Sequence, residues 1–174
     1  GNHAQGVAYS CQLLGIRGVI VMPSITPRQK IRQVEMFGKN QVEIILHGDT
    51  YDDAHAEALR ISRESQATFI HPFDDKKVIE GQGTVGLEIL HLAGKPVDFL
   101  FIPIGGGGLA AGVAAVFRTL SPQTKLIGVE PEGAPAMQRS IAAGKIVTLE
   151  KIDKFVDGAS VQTVGELTFP VCSK

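Results

Sequence analysis

Short runs of β-branched and apolar residues alternate along this chain with stretches whose apolar positions recur at helical spacing. That alternation predicts parallel strands joined by crossover helices. The pattern reads as a helix over 4–14 stopped by Gly15, a strand over 18–22 ended by Pro23, and a helix from Pro27 to 37 closed by Gly38. A strand over 42–46, a helix over 51–65 capped by Asp49 or Thr50, and a strand over 68–71 follow. The rhythm resumes after the turn-rich segment 72–77 with a helix over 78–92, a strand over 97–104, a helix over 109–120, a strand over 125–129 and a helix over 134–143. Beyond Gly144 the pattern weakens. The expected architecture is α/β, with the segment 72–77 as the boundary between two lobes of parallel strands and crossover helices.

Charge changes the picture by exclusion. Seventeen Lys and Arg residues face eighteen Asp and Glu, a net charge of −1 with no basic cluster, which argues against a nucleic-acid or membrane-surface partner. No apolar stretch approaches the ~18 residues of a membrane span and no signal peptide is visible, so a cytoplasmic protein is expected. Cys11 and Cys172 lack metal-ligand spacing and read as unpaired thiols of a reducing compartment. The opening Gly1-Asn2-His3-Ala4-Gln5-Gly6 reads as the inside of a loop-to-helix junction and the end at Lys174 is abrupt. An excised piece of a longer chain is the expectation.

The strongest chemical signal is Gly105-Gly106-Gly107-Gly108-Leu109 between an apolar strand and a helix. Residues without Cβ let successive N–H groups turn onto one small anion, and the helix start adds a favourable dipole. The loop has neither the Lys nor the Ser/Thr of a nucleotide-triphosphate loop, so a small phosphorylated cofactor leads. Two glycine patterns invite a dinucleotide instead. Gly81-x-Gly83-x-x-Gly86 follows polar residues rather than a strand and lacks the required context. Gly106-x-Gly108-x-x-Ala111 does follow a strand, with Glu130 at the end of the next, and keeps a nicotinamide-dependent dehydrogenase open.

Asn2 stands at a helix start, where it serves either as a plain N-cap or as a side chain that reaches a ligand, beside N–H groups that suit a carboxylate. Together with Gly105–Leu109, the Gly81-Gln82-Gly83-Thr84 helix start, and Phe155-Val156-Asp157-Gly158-Ala159 with Val164-Gly165-Glu166-Leu167-Thr168-Phe169, the chain resembles the fold-type II pyridoxal-phosphate enzymes over its whole length. Within them it is most similar to the threonine ammonia-lyases, with serine racemases and serine dehydratases close by.

The resemblance implies a smaller α/β lobe over 1–71 and a larger one over 72–174, each a parallel sheet flanked by helices in three αβα layers, with a cofactor, pyridoxal 5'-phosphate, in the cleft between them. Asn2 would meet its phenolic oxygen, and Gly105, Gly106, Gly107, Gly108 and Leu109 its phosphate. Gly1, Asn2 and His3 would hold the substrate carboxylate. Asp157, Gly158 and Ala159 would line the pocket beside the ring, with Gly158 either allowing close approach or making a plain turn. The lysine that links the cofactor is implied upstream of this chain and the serine at the pyridine nitrogen beyond it. Lys30, Lys76, Lys77 and Lys125 read as surface residues, so the piece alone is expected to be inactive.

The implied reaction is deamination of L-threonine, with L-serine as a poorer substrate, to 2-oxobutanoate and ammonia, in isoleucine synthesis or threonine breakdown. The complete enzyme would be a homo-oligomer acting on a small amino acid. Serine racemase or another β-eliminating relative, and a non-catalytic fragment, remain alternatives. Racemase relatives hold a divalent cation at positions matching Glu130, Ala134 and Ala136. With an alanine at 136 the second carboxylate is gone, so no metal is expected. His47, His55, His71 and His91 show no ligand spacing and read as core-edge or surface residues.

Overall fold

The computed structural model describes every residue except Lys154 and Asp157, and only the backbone of Asp52. The chain divides into two units, 1–70 and 71–174.

In the first unit, helix α1 (Asn2–Leu14) leads to strand β1 (Gly18–Met22), helix α2 (Arg28–Gly38), strand β2 (Val42–Leu46) and helix α3 (Tyr51–Ser65). β1 and β2 pair in parallel from Gly18 opposite Val42 to Met22 opposite Leu46. Period-two alternation turns Ile20 and Met22 inward, and helical spacing brings Ala8 and Val34 onto them, so these buried residues form the core of the unit. Gly15 closes α1 in the left-handed conformation, with its N–H on the Cys11 carbonyl. Of the two candidate caps for α3, Thr50 fills the role: its hydroxyl accepts from Asp53 N–H at 3.1 Å and the Asp53 carboxylate accepts from Thr50 N–H at 3.0 Å.

The strand expected over 68–71 does not form. Its apolar residues carry the β signal, but no strand of the described residues lies alongside to pair with them. The Ile70 carbonyl is taken instead by the His3 ring.

In the second unit, α4 (Lys76–Ala93), β3 (Phe99–Pro103), α5 (Gly108–Leu120), β4 (Lys125–Val129), α6 (Ala136–Ala143) and the short α7 (Phe169–Cys172) follow in order. β3 and β4 are parallel, from Phe99 opposite Lys125 to Pro103 opposite Val129. Asp75 caps α4, accepting from Lys77 and Val78 N–H. Helix α6 starts two residues later than its periodicity suggests, because Pro135 at the cap biases Ala134 away from helical dihedrals. Ile102, Ile104, Val113, Phe117, Met137 and Val164 are the main buried side chains of this core.

The Gly81–Thr84 stretch is not a helix start. It lies in the second turn of α4, and its glycines serve packing. Gly83 and Gly86 are buried against α5, where a Cβ on Gly83 would stand 3.4 Å from the Gly112 carbonyl oxygen and one on Gly86 3.2 Å from Val116 Cβ. A G-x-G-x-x-G pattern therefore arises here from two helices in close approach, not from a nucleotide loop.

Candidate functional site

β3 delivers the chain to Ile104, whose N–H still pairs with the Val129 carbonyl, and the next residues leave the sheet as Gly105 to Gly107. Gly107 adopts φ 96° and forms the N-cap of α5, a conformation that only glycine takes without strain. Ala111 N–H is the first amide to close onto this turn, on the Gly107 carbonyl at 2.8 Å. Among the described residues, no protein acceptor meets the N–H groups of Gly105 to Ala110. Gly106, Gly107 and Gly108 are buried, and the first turn of α5 has no acidic side chain.

A row of unpaired, buried donors at a helix start is a site for an anion. This donor set fits a phosphate group: it offers several hydrogen bonds, a positive dipole end and no competing carboxylate in that turn.

The loop is walled by Phe73, which the sequence alone does not place there, and by Ala159, which it places in the cofactor pocket. A Cβ on Gly106 would overlap the Phe73 ring, one on Gly108 would stand 2.9 Å from Phe73 Cβ, and one on Gly105 would stand 3.0 Å from Ala159 Cα. Phe73 is held in turn by His71, whose ring meets the Phe73 ring edge-on at 4.7 Å and whose Nδ1 accepts from Phe73 N–H at 3.2 Å and Asp74 N–H at 2.8 Å. His71 is thus a structural acceptor under the loop, not merely a core-edge residue.

At the other candidate segment Gly1, not Asn2, is the N-cap of α1, with Asn2 the first helical residue. Asn2 is exposed and its side chain has no hydrogen-bond partner among the described residues, so the plain capping role is excluded. The N–H groups of Asn2, His3 and Ala4 precede the first intrahelical bond, which runs from Gln5 N–H to the Gly1 carbonyl at 3.2 Å. The His3 side chain is committed elsewhere: Nε2–H donates to the Ile70 carbonyl at 3.0 Å. Burial lowers the imidazole pKa against the opposing pull of that hydrogen bond.

Gly158 lies exposed in a turn, and a Cβ there would meet none of the described residues within 4 Å. Asp157 lies outside the described residues.

Glu130 has a definite role. Its carboxylate accepts from Met137 N–H at 2.8 Å and Gln138 N–H at 2.7 Å, capping the start of α6. Both oxygens therefore serve the backbone of this helix, a structural role that accounts for Glu130 without a ribose. No group of three or more His, Cys, Asp or Glu side chains gathers among the described residues. Cys11 and Cys172 are both free, and burial pushes the Cys172 thiol up to about 11. A surface cavity of about 320 Å³ beside β3, β4 and α5, bordered by Ile102, Ile104, Ala110 and Arg118, does not include Asn2, Gly158 or the four glycines of the loop.

Comparison with known proteins agrees with the chemistry of the loop. The family described as "Pyridoxal-phosphate dependent enzyme" matches residues 1–174. The chain is 57% identical over 174 residues to a biosynthetic L-threonine dehydratase, IlvA, of Halalkalibacterium halodurans, covering 100% of this chain and 42% of that protein. It is 56% identical over 169 residues to the Bacillus subtilis protein of the same name, covering 97% and 40%. Among solved structures, the processed form of threonine deaminase isoform 2 from Solanum lycopersicum superposes with a TM-score of 0.93 at 47% identity, covering 99% of this chain and 49% of that one. Maize serine racemase superposes with a TM-score of 0.91 at 36% identity, covering 100% and 52%.

Proposed function

Because this chain belongs to the pyridoxal-phosphate-dependent enzyme family and spans 42% of the length of a curated relative it matches, we propose that it is part of an enzyme that deaminates L-threonine, and L-serine less well, to 2-oxobutanoate or pyruvate and ammonia. The observation that carries this reading is the set of unpaired N–H groups over Gly105 to Ala110, in a chain with 57% identity to a threonine dehydratase.

When bound, pyridoxal phosphate supplies an electron sink for negative charge developing at the substrate α-carbon. The residues of this chain bind and orient. Gly105, Gly106, Gly107, Gly108 and Leu109 hold the phosphate through backbone N–H groups, with the α5 dipole behind them. Asn2, free of any structural bond, donates its amide to the phenolic oxygen of the ring. The N–H groups at the start of α1, at Asn2 and His3 with Gly1 before them, hold the substrate carboxylate, which fixes the direction of the α-C–H bond. Gly158 lies beside the ring in the same proposal. The dehydrogenase reading is set aside, since the family is that of pyridoxal-phosphate enzymes and the Glu130 carboxylate caps α6.

The word "biosynthetic" in the names of the relatives supports a place at the start of isoleucine synthesis. Work in the cytoplasm, supported by two free cysteines, and assembly as a homo-oligomer belong to the same proposal.

The test is an absorbance titration of the full-length protein with pyridoxal phosphate, followed by L-threonine. Cofactor uptake with release of a 2-oxo acid and ammonia supports the proposal; uptake followed by D-amino acid formation without ammonia points to racemisation, and no uptake overturns it.

A further inference from the structure

The segment Gly165-Glu166-Leu167-Thr168 has no role in the reading above, yet it lies directly behind the phosphate loop. Thr168 is fully buried, and its hydroxyl donates to the Gly106 carbonyl at 2.6 Å. Gly165 N–H donates to the same carbonyl at 3.1 Å. The Gly106 oxygen is thus saturated from behind. The peptide unit is planar and trans, so its C=O and N–H point in opposite directions, and anchoring the Gly106 carbonyl backward aims the Gly107 N–H forward. Gly107 fits only because it has no Cβ: one placed there would stand 2.7 Å from Thr168 Oγ1 and 2.9 Å from Met137 Cε.

The turn that carries Thr168 is itself anchored. The Asp74 carboxylate accepts from Glu166 N–H at 2.9 Å and Leu167 N–H at 2.8 Å, and the ring of the neighbouring Phe73 stands where a Cβ on Gly106 would be. A flip of the Gly106–Gly107 peptide would replace a donor with a carbonyl oxygen facing the anion, turning attraction into repulsion. The buried hydroxyl at 168 supplies the shorter of the two bonds that oppose this flip, and a side chain of equal volume without a donor leaves the carbonyl with the Gly165 N–H alone.

We infer that Thr168 is a positioning residue for cofactor phosphate: its hydroxyl, held in place by the Asp74-anchored turn, locks the Gly106–Gly107 peptide with its N–H toward the anion. The inference rests on the pyridoxal-phosphate reading and adds to it a residue that never touches the cofactor.

The experiment compares the affinity of the full-length apoenzyme for pyridoxal phosphate and for pyridoxal, which lacks the phosphate, in the unmodified protein, T168V and T168S. T168V is expected to lose about tenfold or more in pyridoxal phosphate affinity with a change of less than about threefold for pyridoxal. T168S, which keeps the hydroxyl, is expected to restore pyridoxal phosphate binding to within about threefold. If T168V does not accumulate as folded protein, T168A takes its place under the same criterion. An unchanged preference for the phosphorylated form in the variant, or T168S as weak as T168V, overturns the inference alone. An unmodified protein that takes up no pyridoxal phosphate overturns the cofactor reading, and the inference with it.

Discussion

A Cβ on Gly112 of α5 would stand 2.6 Å from the amide nitrogen of Gly83 in α4. Two helices thus meet at backbone distance, and the obstacle is main chain that no side-chain rotation clears. Gly112→Ala is expected to destabilise the protein by about 1–3 kcal/mol through overpacking. Gly81, in the same α4 stretch, faces open space, so Gly81→Ala is expected to be neutral or to stabilise by up to about 1 kcal/mol. Denaturant midpoints of the two variants check the pair; equal effects would refute the packing role given to this glycine stripe.

Glu130 caps α6 with both carboxylate oxygens. Glu130→Ala is expected to cost about 1 kcal/mol, in the range of a lost helix cap, and Glu130→Gln less, since one acceptor oxygen survives. These bonds account for the carboxylate without a cation, so a chelator is expected to leave the thermal midpoint of the unmodified protein in place. A midpoint that falls on chelation and returns with Mg²⁺ or Ca²⁺ would show that Glu130 serves a cation instead.

Burial favours the neutral form of His3 and outweighs the Nε2–H bond to the Ile70 carbonyl, which favours the protonated form. Its folded-state pKa lies below the ordinary value of about 6.5. The stability it contributes is therefore complete above that value and is lost as the pH falls through it toward the lower folded value. His3→Gln keeps a donor and does not titrate. The stability advantage of the unmodified protein over His3→Gln is expected to shrink between about pH 8 and pH 5; unfolding curves that shift in parallel across that range would rule the linkage out.

The Asn2 side chain neither caps α1 nor bonds to another described residue. Asn2→Ala is expected to leave unfolding within about 0.5 kcal/mol of the unmodified protein while weakening pyridoxal phosphate binding about tenfold. Calorimetry of the apo form together with a cofactor titration separates the two effects. A stability loss without an affinity loss would return Asn2 to a structural role.

Much of this protein was determined by local sequence. β1, β2, β4 and α3 lie where alternation and helical period place them, because the direction of each side chain follows from the backbone repeat alone. The glycine run after β3 leaves its N–H groups free to turn together for the same reason, since absence of Cβ is a property of each residue by itself.

What tertiary structure decided lies between residues far apart in the chain. Thr168 reaches Gly106 across 62 positions and Leu167 reaches Asp74 across 93, and no periodicity encodes such pairs. The same holds for the strand signal over 68–71, which came to nothing because a strand requires a partner as well as propensity. Likewise Gly81-x-Gly83-x-x-Gly86 carries the letters of a nucleotide loop, but its meaning was set by α5 packing against it. Local repeats fix the direction of a side chain; only the folded chain supplies what it meets.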